Sequence, residues 1–101
     1  TTYVPQADAD DLKMKLFEAG AGNIGNYSDC NFTTDGIGSY KANDQANPVK
    51  GKIGETHYEK EAQVHITYPK SREKCVLKAL SENHPYEEVA YDVFKQAEIA
   101  F

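Results

Sequence analysis

The densest collection of reactive side chains is His84-Pro85-Tyr86-Glu87-Glu88, an imidazole, a phenol and two carboxylates around a proline. Imidazole with carboxylate can bind a divalent metal or move a proton. Adjacent residues cannot all point at one centre, so a metal site would need further ligands from another strand or a neighbouring subunit. The plainer alternative is a rigid turn in which His84 caps a preceding helix and Tyr86 packs, with the carboxylates solvated. A second set, His57, Glu59, Glu61 and His65, falls on one face of a single extended segment. Its two imidazoles are eight positions apart, about 27 Å at ~3.4 Å per residue, so one ion cannot bridge them within a subunit. Cys30 has no flanking base, which leaves nucleophilic catalysis dependent on tertiary neighbours.

Gly20-Ala21-Gly22-Asn23-Ile24-Gly25 spells G-x-G-x-x-G, the dinucleotide fingerprint in which amides at a helix N-terminus receive a pyrophosphate. Here the glycines follow a helix and precede a strand. An anion would face the negative end of the helix dipole, so the run reads as a turn that needs positive φ and close packing.

The elements that must position these groups follow from periodicity. Tyr3 and Val4 end a short strand at Pro5, which removes a ladder donor. Asp8 offers an N-cap, Asp10 and Asp11 suit the first turn, and Leu12, Leu16 and Ala19 mark the buried face of a first helix closed by Gly20. Tyr27 to Ala42 reads as a strand, with Gly36 and Gly38 suggesting a bulge or bend. Asn43 to Gly54 is a polar, exposed connection. From His57 to Tyr68 residues alternate, with Ala62, Val64, Ile66 and Tyr68 inward. Ser71 caps a second helix carrying Val76 and Leu80, and Pro85 stops it. Val89 to Phe94 supplies a last strand. The order predicts an α+β domain of ferredoxin-like βαββαβ plan, an antiparallel sheet with both helices on one face. The other face calls for cover by a symmetric partner.

With 101 residues and 40% hydrophobic content, the chain from 1 to 101 is one domain. A net charge of −5 repels phosphate backbones and anionic lipid, so neither nucleic acid nor membrane is an expected partner. No apolar run approaches the ~18 residues of a membrane span and no signal peptide opens the chain, which points to the cytoplasm. Cys30 and Cys75 read as thiols.

The runs GAGNIGNYSDCNFTTDGIGSY, from Gly20 to Tyr40, and HPYEEVAYDVF, from His84 to Phe94, resemble the two signatures of the YqfO-type domain. That domain occurs as an insert in Nif-three-like proteins, also called GTP cyclohydrolase I type 2 homologues, and as a free-standing protein. The resemblance covers nearly the whole chain, including Pro5 and the Asn47-Pro48, Gly51 and Gly54 pattern. Val89-Ala90 departs from it, where the pattern more often has Pro-Ala. It implies a fold close to the CutA and PII proteins, trimeric or a higher closed assembly. It lends no active site, because the dinuclear metal centre of Nif-three-like proteins belongs to their main domain. A chain that enters a strand without a methionine fits an excised insert, whose partner is the rest of a Nif-three-like chain.

The resulting expectation is a non-catalytic module for oligomerisation, ligand sensing or regulation, with no resident cofactor beyond a possible divalent metal. Its ligand surface is drawn from Gly22, Asn23, Gly25, Asn26, Tyr27 and Cys30, converging with His84, Tyr86, Glu87 and Glu88. Convergence requires the two stretches to lie within about 15 Å of each other, in one subunit or between two. The alternative is a CutA-like protein binding copper or zinc, with His84, Glu87 or Cys30 contributing ligands across a subunit interface. Catalysis ranks last, since no nucleophile and base are visibly paired.

Overall fold

The structure is a computed structural model that describes residues 1–97. The chain runs through strand β1 (Thr2–Pro5), helix α1 (Ala9–Glu18), strands β2 (Phe32–Lys41) and β3 (Thr56–His65), and helix α2 (Glu73–Asn83), with a 3-10 turn leading into each helix. The strands form an antiparallel sheet in the order β1-β3-β2, so the fold is α+β as expected.

Alternation along β3 sets the layers. Ala62 and Val64 lie beside Val4 and Thr2 of β1 on one face. Onto that face α1 places Leu12 and Leu16, and α2 places Val76 and Leu80, all buried. Both helices therefore share one side of the sheet. They run in opposite directions, since the Arg72 guanidinium at the start of α2 donates to the Ala19 carbonyl at the end of α1 (3.1 Å). Ile37 and Tyr58 belong to the same sheet face yet are 74% and 69% exposed, because the β2–β3 hairpin runs on beyond the helices.

Gly20 ends α1 at φ 112°, as its sequence position predicts. The caps differ from expectation. Asp8 precedes α1 but its side chain makes no capping bond, and Ser71 sits inside the 3-10 turn Lys70–Arg72. Pro69 starts that turn early, with Arg72 N–H donating to its carbonyl (2.8 Å). At the far end of α2, Pro85 forces His84 to an extended ψ of 134°. Strand β2 begins at Phe32 instead of Tyr27, because Gly22 N–H turns away to the Thr67 carbonyl and Ile24 and Tyr27 pair around a tight turn. The register from Phe32↔His65 to Lys41↔Thr56 has no bulge at Gly36 or Gly38.

The predicted last strand, Val89–Phe94, is reduced to one antiparallel bridge, Thr2↔Tyr91. A continued ladder would set Ala90 opposite Tyr3 and give it the Tyr3 carbonyl. That carbonyl is taken instead by the His84 ring (2.7 Å). Among the described residues, no helix is long and apolar enough to cross a membrane.

Candidate ligand-binding site

The sheet face turned away from the helices carries His57, Glu59 and Glu61 of β3, with Tyr40, Gly38 and Gly36 of β2 directly opposite. His57 Nε2 lies 2.8 Å from Glu59 Oε2, and Lys50 Nζ lies 3.4 Å from Glu59 Oε1. The His57 hydrogen bond, helped by the Lys50 charge, holds the Glu59 carboxyl below its ordinary range despite partial burial. Tyr40 tilts against the His57 ring at 5.2 Å and donates its hydroxyl to the Lys50 carbonyl (2.9 Å).

The turn after α2 reaches this face around the edge of β1. His84 is 7% exposed. Its Nε2–H donates to the Tyr3 carbonyl (2.7 Å) and its Nδ1 accepts from Tyr86 N–H (3.2 Å), an arrangement that only the neutral Nε2–H tautomer satisfies. Burial lowers the His84 pKa and outweighs the Tyr3 carbonyl, Glu61 and Asp8, which act to raise it. Tyr86 lies across the sheet, its ring edge-on to Tyr40 at 5.9 Å, and donates its hydroxyl to Glu61 Oε2 (2.7 Å). Burial and the Glu61 carboxylate push the Tyr86 phenol up, so it keeps its proton at neutral pH. Glu87 Oε2 accepts from Asn47 N–H (2.7 Å), which ties the 42–54 connection across the same face. The connection expected from Asn43 to Gly54 is exposed along much of its length, and it is fastened at Asn47 and Lys50.

Sheet, turn and connection together bound a cavity of about 390 Å³, walled by Tyr3, Tyr40, Pro48, Glu61, Tyr86 and Glu87. Glu88 also borders it. His84 stands behind the wall and fixes Tyr86.

The other predicted stretch lies elsewhere. Gly22 is buried at φ 86°, donating to Thr67 and accepting from Cys30 N–H (2.8 Å). Gly25 at φ 56° and Asn26 form the tip of the tight turn between Ile24 and Tyr27. Asn23 is exposed, Tyr27 is 77% exposed, and Cys30 is half-buried with its sulfur 3.8 Å from the Ser28 carbonyl. These residues flank the start of α2, whereas His84 follows its end. The 11 residues of α2 separate them, a rise of about 16 Å. Within one chain the two stretches do not converge.

Within one subunit the ligands of the metal alternative are not assembled either. Cys30 is at the wrong end of α2 for His84 and Glu87, and both His84 ring nitrogens are engaged. Among the described residues no group of three or more His, Cys, Asp and Glu could hold a metal ion.

Sequence reasoning missed Tyr3 and Tyr40, and it weighed Glu61 only as one of a set of strand-face ligands that it set aside. The signal was present in Gly38. It does not mark a bulge; it leaves the space that the Glu61 carboxylate occupies.

No protein-family profile matches the chain. It is similar to part of proteins named GTP cyclohydrolase 1 type 2 homolog. Identity is 46% for that of Bacillus subtilis (strain 168), covering 91% of this chain and 25% of the relative. The Mycobacterium tuberculosis protein of that name is 39% identical, covering 91% and 24%. A crystal structure of a Bacillus cereus protein related to NIF3 superposes with a TM-score of 0.73 at 38% identity, over 92% of this chain and 23% of that one. The chain thus spans about a quarter of the length of these relatives.

Proposed function

We propose that this chain is a non-catalytic, ligand-sensing and assembly module of the YqfO type, CutA/PII-like in plan, carried by a Nif-three-like metalloprotein. The cavity on the helix-free face carries the reading. Three separate parts of the chain build it, and its walls are held by specific hydrogen bonds. The Tyr86 phenol is pushed away from ionisation, which suits a recognition group and not a reacting one.

Two features support the placement. Strand order β1-β3-β2 with Tyr91 bridged outside β1 is what a ferredoxin-like βαββαβ sheet with a shortened last strand would have. Thr1 and Asp92 exchange backbone hydrogen bonds of 2.9 Å, so the path into the domain and the path out run side by side, as an insertion into another domain requires. The bare apolar pair Ile37 and Tyr58 on the projecting hairpin supports a trimer or higher closed assembly.

The test is the native mass of the whole protein that carries this chain, with and without divalent metal. A trimer or a multiple of three, indifferent to metal and weakened by Ile37→Glu, is expected. A monomer in both conditions would remove the assembly role.

A further inference from the structure

We propose that the cavity on the helix-free face binds a small organic cation, an ammonium or guanidinium compound; the inference rests on the ligand-sensing reading above and names its ligand class. The walls present three aromatic rings, Tyr3, Tyr40 and Tyr86, and the carboxylates Glu61 and Glu87. Among the described residues neither carboxylate has a cationic partner within 4.0 Å, whereas Glu59, on the same strand face, has Lys50 and His57. Lys41 also borders the cavity, but alternation along β2 sends its side chain to the face opposite Tyr40.

The attraction is twofold. A cation over the face of a tyrosine ring is attracted by the ring's negative face, more strongly when water is excluded, and a carboxylate without a cationic partner beside it adds a charge-assisted contact. Anions meet the reverse, with Glu61, Glu87, Glu88 and the net charge of −5 opposing them. A bare metal ion is disfavoured as well, because the rings offer no ligand atoms and the carboxylates are spread between β3 and the turn. A cavity of about 390 Å³ suits a ligand of a few to some twenty heavy atoms. Glu61 is already oriented. Tyr86 holds one of its oxygens and the floor at Gly38 seats the other.

The experiment is isothermal titration of the whole protein, at fixed ionic strength, with choline, spermidine and agmatine. Their neutral and anionic controls are 3,3-dimethyl-1-butanol and citrate. Saturable binding of at least one cation is expected, with the neutral isostere at least tenfold weaker. Glu61→Gln, which keeps side-chain size over Gly38, should weaken that binding roughly tenfold, and Tyr40→Leu should weaken it about threefold or more. Urea midpoints of both variants show whether they fold, and Glu87→Gln on the exposed rim supplies a second measurement if Glu61→Gln does not. Cations bound no better than the neutral isostere, or bound unchanged by Glu61→Gln and Glu87→Gln, would overturn the proposal. Citrate saturating the cavity while all three cations fail would also overturn it yet leave ligand sensing intact. Silence from every probe would overturn the cation assignment, and the native mass above would then decide separately whether the module assembles.

Discussion

The Glu61 carboxylate sits directly over the α-carbon of Gly38: a β-carbon built on that glycine would overlap Oε1 and lie 2.6 Å from Cδ. Strand geometry does not demand glycine here, for Gly38 has no positive φ. The demand comes from the carboxylate.

Gly38→Ala should therefore push Glu61 aside and break its bond with the Tyr86 hydroxyl. The expected cost is about 1–3 kcal/mol, read from urea denaturation. The double variant Gly38→Ala with Glu61→Ala should recover most of that loss, because the overlap disappears with the side chain. If the two losses simply add, the glycine serves some other purpose.

Cys30 and Cys75 are both free thiols, Cys75 exposed on α2 and Cys30 half-buried in the loop before β2. Titration with a thiol reagent under native conditions should modify both, Cys75 first. Recovery of only unreactive thiols until reduction would contradict the structure.

Much of the layering was legible in the sequence. Ala62 and Val64 alternate, Leu12 and Leu16 are one helical turn apart, as are Val76 and Leu80, and these six residues are the centre of the observed core. The turn at His84 was legible too, since three of its residues, Tyr86, Glu87 and Glu88, border the cavity. What failed was the joining of distant pieces. The strands that lead into α1 and α2 are antiparallel, so the two helices return in opposite directions and their C-terminal turns fall at opposite ends. That follows from topology, and placing Gly22 beside His84 overlooked it. The role of Glu61 was invisible for a different reason: period-two alternation says only that the side chain faces away from the helices, while its value comes from Tyr86, 25 residues on, and Gly38, a diagonal neighbour.

Copper or zinc titration tests the metal alternative. To ligate through His84, a metal would have to displace either the Tyr3 carbonyl or Tyr86 N–H inside a buried site, leaving a backbone group unpaired at a cost of about 1–3 kcal/mol. Affinity should be unchanged in His84→Ala measured where that variant remains folded. A tenfold loss would restore His84 as a ligand.

His84 also predicts how stability depends on pH. Burial lowers its pKa in the folded protein from the ordinary 6.5, so the unfolded chain binds the proton more readily. Stability from the neutral ring is fully present above about pH 6.5 and declines as pH falls below it, because the unfolded chain takes up the proton while burial holds the folded ring neutral. The groups facing the ring are the Tyr3 carbonyl, Glu61 and Asp8, all of which favour the charged form, yet burial prevails. Glu59, whose pKa is lowered, pulls in the same direction only in a more acidic window, below the ordinary 4.5. Urea midpoints should therefore fall between pH 7.5 and pH 5 and fall again below pH 4.5, a split that separates the two groups. His84→Ala should lose the upper step and cost about 1–3 kcal/mol at pH 7.5, where the Tyr3 carbonyl and Tyr86 N–H are left without their partner. An upper step that survives the substitution would assign it to another group and break the link between the buried imidazole and the wall of the cavity.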